Sequence, residues 1–138
     1  MAAETHLRIA RWLTLVVGLL IVYGSLYPFS FVVPPKGSLI ALLTQLDWAR
    51  TTRADVLANL LLYLPLGALL SFALPTQWSA ARTAFLATAA GTLLAASLET
   101  LQLLEPFRVA SLTDLVLNGI GTFAGAVLSL GVRAAGER

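Results

Sequence analysis

The sequence contains no cysteine and a single histidine among its 138 residues. The lack of cysteine excludes disulfides, cysteine metal sites and thiol nucleophiles. Charged residues are scarce, at 12%, whereas soluble domains usually carry about a quarter. The net charge is only +2 and no basic block is present, so the charge pattern indicates no nucleic-acid partner. The chain is instead 58% hydrophobic with a mean hydropathy of +0.84, which predicts a membrane protein.

Four apolar runs account for nearly the whole chain, because a membrane helix needs roughly 20 residues. We therefore predict an all-α membrane protein that forms one domain over residues 1–138, with its four helices arranged as two related hairpins. The spans are expected at residues 10–27, 54–74, 81–104 and 111–132. Arg8 and Arg11 before the first run suggest a signal peptide. Three further apolar runs follow, however, and no small-x-small site precedes Pro28, so we expect a retained first span.

Several segments predict details of this bundle. Residues 38–48 carry leucines at helical spacing, which favours an interfacial helix or, alternatively, a short folded-back loop. Pro65 and Gly67 are expected to interrupt and kink the second span. Gly121 and Gly125 form a G-x-x-x-G pattern, which is typical of close helix packing.

Lys and Arg residues in the connections predict the orientation in the membrane. The side that holds both termini carries five of them, and the other side carries four. We therefore expect both termini in the cytoplasm. The five are Arg8, Arg11, Arg82, Arg133 and Arg138; the four are Lys36, Arg50, Arg53 and Arg108.

One polar pattern occurs twice, each time at the start of an apolar helix. Thr52-x-x-Asp55 precedes Asn59, and Ser111-x-x-Asp114 precedes Asn118. The Ser/Thr-x-x-acid spacing is a capping box, which explains the two acids as helix caps. It leaves the asparagines unexplained, although they lie on the same helical face as the acids. Interhelical hydrogen bonding is the alternative to ligand binding for both asparagines.

Glu99 and Gln102 near the end of the third span belong to the same leaflet as both copies of the pattern. At about 1.5 Å per residue, Glu99, Asn59 and Asn118 all lie roughly 7–8 Å inside the interface. A carboxylate at membrane depth is a candidate functional group by default; a buried ion pair with Arg53 or Arg108 is the alternative for Glu99. Helix N-termini and these two arginines favour anions. We therefore predict an anion-binding pocket that opens outward, although interfacial snorkelling would also explain the arginines.

These motifs together resemble those of the VanZ-like family of small bacterial membrane proteins, over residues 23–130. The resemblance implies a bacterial plasma membrane, a link to the cell envelope and reduced susceptibility to teicoplanin, a glycopeptide. It does not imply a mechanism. Tyr63 departs from the family pattern, in which phenylalanine is more usual. The matching residues are Tyr27-Pro28-Phe29, Asp55, Asn59, Pro65, Gly67, Ser97, Glu99, Gln102, Arg108, Asp114, Asn118, Gly121 and Gly125.

Three classes of function fit these residues. The first is a site that binds or processes an anionic or polyprenyl-linked lipid or a glycopeptide, with Glu99 as acid or base. The second is a binding module without chemistry. The third is an accessory subunit or a small transporter, which would act as a homo-oligomer. We expect no cofactor and no metal, and the predicted ligand-binding residues are Arg108, Arg53, Asn59, Asn118, Gln102, Asp55 and Asp114.

Overall fold

The computed structural model describes residues 2–32, 44, 46–48 and 52–136 of the chain. Four helices form most of this part: α1 spans Ala2–Leu26, α2 Arg53–Ala73, α3 Ala80–Gln102 and α4 Leu112–Gly136. Each helix is long and apolar enough to cross a membrane. This confirms the predicted all-helical fold with four spans.

The helix bounds differ from the predicted spans mainly at the outer ends of α1 and α4. α1 begins at Ala2 rather than near residue 10, and α4 continues to Gly136 rather than ending near residue 132. The added residues are mostly alanine, leucine and charged residues, which favour helices although they are not all apolar. Hydropathy marks the part of a helix that suits the membrane, and the helix itself extends beyond it. α3 ends at Gln102, shortly before Pro106 restricts the backbone.

Contacts between the helix ends show that neighbouring helices alternate in direction. Gln102 at the end of α3 donates to the carbonyl of Ser25 near the end of α1. At the opposite end of the bundle, Arg133 of α4 donates to the carbonyl of Ser71 near the end of α2. α2 and α4 therefore both begin at the end of the bundle where α1 and α3 finish.

α2 packs most extensively against α4, and glycines allow this close approach. A methyl group on Gly67 would overlap the backbone carbonyl of Thr122, and one on Gly125 would overlap that of Leu64. Gly121 lies against the backbone of Leu60. Gly121 and Gly125 are four residues apart, as are their contacts Leu60 and Leu64, so α2 and α4 touch through their backbones. These two helices carry the two copies of the repeated pattern. We call this contact the glycine seam.

The structure corrects one local expectation and leaves another largely untested. α2 remains helical through Pro65 and Gly67, where we expected an interruption, and Gly67 serves the glycine seam instead. The predicted interfacial segment, residues 38–48, lies largely outside the described residues. Its described end, residues 46–48, is not helical: Asp47 forms a bridge with Ser111, and its carbonyl accepts the N–H of Leu112 at 3.0 Å. This bridge attaches the first long connection to the start of α4.

Candidate functional site

A cavity of about 410 Å³ lies at the end of the bundle where α2 and α4 begin. All four helices and the connection between α3 and α4 line it. Its lining includes seven of the eight predicted site residues, whose roles remain predictions: Asp55, Asn59, Glu99, Gln102, Arg108, Asp114 and Asn118. Arg53, the eighth, is exposed at the first position of α2 and does not belong to the lining.

Glu99 lies deep in this end of the bundle, with only 4% of its surface exposed. Its Oε2 atom accepts the backbone N–H of Ser111 at 2.6 Å. Such a short bond to a carboxylate is charge-assisted and therefore strong. No ion pair joins Glu99 to Arg53 or Arg108 among the residues that the structure describes, so the expected ion-pair alternative does not apply here. Instead, a backbone amide at the start of α4 holds the carboxylate.

Arg108 and Gln102 satisfy the carbonyls at the end of α1. The Arg108 guanidinium donates to Tyr27 O through Nε at 3.2 Å and through Nη2 at 2.8 Å. Nη2 also donates to Gly24 O at 2.8 Å, and Gln102 donates to Ser25 O at 3.0 Å. The last carbonyls of a helix lack intrahelical partners and carry partial negative charge, so an arginine is well placed there. Arg108 is thus a helix-capping residue that also faces the cavity.

The first copy of the repeated pattern forms a complete capping box. The Asp55 carboxylate accepts both the backbone N–H of Thr52 at 2.9 Å and its hydroxyl at 2.7 Å, and the Asp55 N–H donates back at 3.2 Å. All of these bonds stabilise the start of α2. The structure therefore shows the capping role that the spacing predicts for this acid.

The second copy does not close in the same way. The Ser111 hydroxyl accepts the N–H groups of Thr113 at 3.1 Å and Asp114 at 3.4 Å. The N–H of Ser111, however, goes to Glu99 and not to Asp114. Only half of the box forms, and the Asp114 carboxylate is directed to the cavity, where the Asn59 side chain hydrogen-bonds to it.

Three buried polar atoms of the lining have no hydrogen-bond partner among the described residues. They are Oδ1 of Asp114, Oδ1 of Asn118 and the hydroxyl oxygen of Tyr63. Asn118 is 5% exposed and Tyr63 is 2% exposed, so bulk water does not solvate them freely. Unpaired polar atoms in a protein interior are costly, typically about 1–3 kcal/mol each. All three atoms belong to residues that line the same cavity.

Sequence reasoning did not select Tyr63 as a site residue. Asp55, Asn59 and Tyr63 follow each other at i, i+4 and i+8, so they lie along one face of α2. That spacing is the signal by which the sequence could have added Tyr63 to the cavity lining.

The charge of the lining differs from the predicted anion-binding pocket. Three carboxylates line the cavity, from Asp55, Glu99 and Asp114, and Arg108 is the basic residue among the described lining. Asp114 is close enough to Asp55 and Glu99 to interact electrostatically with both. The expected clamp of two arginines is not formed, because Arg53 is outside the lining. Among the described residues, no three acidic or histidine side chains are grouped closely enough to hold a metal ion.

The cavity reaches the surface of the bundle between α1 and α2. Leu20 of α1 and Leu62 of α2 line it and are 63% and 50% exposed. Leu62 lies nine residues into α2, which corresponds to about 14 Å along the helix axis. The lining therefore extends from the polar end of the bundle to exposed apolar residues on α1 and α2.

A family model described as VanZ/LLP1 matches residues 11–133, nearly the whole chain. No curated protein and no solved structure gives a significant match.

Proposed function

Because the chain belongs to the VanZ-like family of multi-pass membrane proteins linked to glycopeptide resistance, we propose that it binds an envelope lipid in this cavity. The ligand is an anionic or polyprenyl-linked lipid, and its polar headgroup occupies the space between the four helices. The observation that carries this proposal is the sideways opening between Leu20 and Leu62. A headgroup can enter there while its chains remain in the bilayer.

This geometry favours a lipid over a glycopeptide as the ligand. A glycopeptide would reach the cavity from the aqueous end of the bundle, past Phe107 and Val109, which are 74% and 75% exposed. A lipid reaches it from the side, where exposed apolar residues contact its chains. The lipid-linked form of an envelope precursor would use both routes, with its chain at the side and its polar part at the end.

Arg108 is the residue that we expect to contact a phosphate. A guanidinium has five N–H donors, and the bonds to Gly24 and Tyr27 use Nε and Nη2. The Nη1 group makes no hydrogen bond to a described residue, and Arg108 is exposed at the rim of the cavity. Arginine is well suited to phosphate oxygens because its donors are arranged as a planar fork.

Glu99 is the candidate acid or base if the lipid is processed and not merely held. Ser111 fixes one of its oxygens, so the other is oriented within the cavity. Glu99→Gln retains an oxygen that can accept the Ser111 N–H but removes the proton-transfer group. Glu105→Gln is the matched control, because Glu105 is also buried, at 2% exposure, yet does not line the cavity.

The membrane orientation is a further part of the proposal. Arg8, Arg11, Arg82 and Arg133 lie at the end of the bundle opposite the cavity, which supports a cytoplasmic location of that end in a bacterial plasma membrane. The cavity then belongs to the outer leaflet. Because the chain has no native cysteine, single cysteines at Thr76 and Phe107 can be labelled with an impermeant maleimide in intact cells. Labelling at Phe107 and not at Thr76 is expected; the reverse pattern contradicts this orientation.

Mass spectrometry of lipids that remain bound after gentle extraction from the native membrane tests the binding proposal. Wild type and Arg133→Gln should retain the same phosphate-bearing lipid, and Arg108→Gln should lose it. Arg133 is the matched control because it also donates to a helix carbonyl, that of Ser71, but at the opposite end of the bundle. Accumulation of the lipid on Glu99→Gln but not on Glu105→Gln would indicate turnover. Equal lipid in wild type and Arg108→Gln would reject the site, and stable oligomers without lipid would favour the accessory-subunit or transporter class.

A further inference from the structure

We propose that the headgroup recognised in this cavity is zwitterionic and carries a primary ammonium group beside its phosphate. The ammonium lies against Asp114, Asn118 and Tyr63, and the phosphate lies at Arg108. This inference rests on the proposed function, because it names the chemical class of the lipid that the cavity binds.

The first support is the chemistry of the unpaired atoms. Oδ1 of Asp114 and Oδ1 of Asn118 are hydrogen-bond acceptors, and the hydroxyl oxygen of Tyr63 can also accept. A phosphate has acceptors only and would leave these atoms unpaired. A primary ammonium has three N–H donors, which is one for each of the three atoms. A donor in the deep part of the ligand therefore suits these three side chains better than an acceptor does.

The second support is the charge of the lining. Among the described lining residues, three carboxyl groups accompany one guanidinium, so the lining offers a cation more partners than it offers an anion. Thr52 holds Oδ2 of Asp55, and Ser111 holds one oxygen of Glu99. A neutral hydroxyl would satisfy the hydrogen bonds without offsetting this charge. An ammonium does both, and for that reason it fits better than a sugar or glycerol hydroxyl.

The third support is the arrangement of the two ends of the cavity. Arg108 is exposed at the rim, whereas Asn118 and Tyr63 are buried within the bundle. A phosphate next to the lipid's glycerol or chain stays near the rim and the sideways opening. The ammonium at the far end of the headgroup then extends inward to the unpaired acceptors. A guanidinium at the rim and unpaired acceptors deeper in the bundle match the order of phosphate and ammonium in such a headgroup.

Competition between three phospholipids with identical dioleoyl chains tests the inference. Purified full-length protein is exchanged into mixtures of phosphatidylethanolamine, phosphatidylcholine and phosphatidylglycerol, and native mass spectrometry counts the lipids bound. The ethanolamine lipid should be retained about tenfold over both others, since one charge-assisted hydrogen bond is worth at least that factor. The choline lipid keeps the positive charge but has no N–H donor, and the glycerol lipid has hydroxyls but no positive charge.

Two variants separate the ammonium site from the phosphate site. Asp114→Asn should abolish the ethanolamine preference without lowering the melting temperature, whereas Asp47→Asn should retain it. Asp47 is the control because it is an acid at the same end of the bundle that does not line the cavity. Arg108→Gln should reduce the binding of all three lipids together.

Two results would overturn the inference while leaving the proposed function intact. One is equal binding of the ethanolamine, choline and glycerol lipids, all lost with Arg108→Gln. The other is an ethanolamine preference that survives Asp114→Asn. Binding of none of the three above the level of Arg108→Gln would reject the phosphate site itself, and the inference with it.

Discussion

The two copies of the pattern Ser/Thr-x-x-Asp-x-x-x-Asn are alike in sequence and differ in what their acids do. In the copy on α2, the Asp55 carboxylate holds the backbone and the hydroxyl of Thr52. In the copy on α4, Ser111 gives its N–H to Glu99, and one oxygen of Asp114 has no partner among the described residues. Both acids line the cavity, but the Asp55 carboxylate is bonded to its own N-cap residue, whereas the Ser111 N–H is bonded to Glu99 and not to Asp114.

The difference arises from a residue outside the repeat. Glu99 is on α3, and its carboxylate occupies the place at the Ser111 N–H that the Asp114 carboxylate would take in a full capping box. A capping box in sequence therefore becomes one in structure only where no better acceptor competes for the N-cap amide. This competition leaves the Asp114 carboxylate without the bond to its N-cap residue that Asp55 makes.

The largest expected effect concerns the glycine seam, which keeps the two copies side by side. Gly125→Ala should destabilise the fold strongly, because the new methyl group would overlap the backbone carbonyl of Leu64, which belongs to a helix and has little room to shift. Overpacking of this kind typically costs about 1–3 kcal/mol. Thermal unfolding in detergent, followed by circular dichroism, measures the change.

Gly131→Ala is the matched control on the same helix, since nothing lies within 4 Å of the methyl group it would add. It should leave the melting temperature unchanged or slightly raised, because alanine favours a helix over glycine. Equal melting temperatures for the two variants would show that the seam does not hold α2 against α4.

The next largest effect on stability should come from removing Glu99, which competes with Asp114 for the Ser111 N–H. Glu99→Ala leaves the buried Ser111 N–H without its carboxylate and should cost about 1–3 kcal/mol. A new bond from Ser111 to Asp114 would convert the second copy into a closed box like the first and would offset part of that cost. Bound lipid should be lost along with the stability. Glu99→Gln should unfold near the wild-type temperature, because it still accepts this N–H; a melting temperature as low as that of Glu99→Ala would argue against the Ser111 bond.

A smaller effect on stability is expected from disrupting the capping box of the first copy. Thr52→Ala removes the N-cap hydroxyl and should destabilise α2 by about 1 kcal/mol, as is typical of such caps. Lipid binding should be unchanged, since Thr52 does not line the cavity. Differential scanning fluorimetry and native mass spectrometry of the same sample check both parts. A loss of lipid with Thr52→Ala would mean that the first copy also serves the ligand.

The smallest effect on stability should come from Tyr63→Phe. The Tyr63 hydroxyl is buried and unpaired, so its removal should leave the melting temperature unchanged or raise it. Bound lipid should nevertheless decrease, because one hydrogen bond to the headgroup is lost. A lower melting temperature with unaltered lipid would assign the hydroxyl to packing and not to recognition.

Much of the architecture follows from the sequence, because length and hydropathy determine how many helices fit in a membrane. Depth counting at a fixed rise per residue also predicts that Glu99, Asn59 and Asn118 lie at one level, and all three line the cavity. The roles predicted for them remain to be tested.

The partners of the site residues could not be predicted in the same way. Glu99 accepts the Ser111 N–H, and Arg108 donates to carbonyls of α1 and the residue after it. Both partners depend on how α1, α3 and the α3–α4 connection pack. Helical periodicity describes one helix at a time and does not contain that information. For the same reason we predicted Arg53 to be a ligand-binding residue, although it does not line the cavity.

The most direct test of the account compares Asp55→Asn with Asp114→Asn, two identical changes at equivalent positions of the repeat. Native mass spectrometry of both variants, extracted from the same cells as wild type, measures the lipid bound per protein. We expect Asp55→Asn to retain the wild-type amount and Asp114→Asn to lose most of it. Equal retention by the two variants, or loss with Asp55→Asn alone, would contradict the division of the two copies into a structural and a ligand-binding unit.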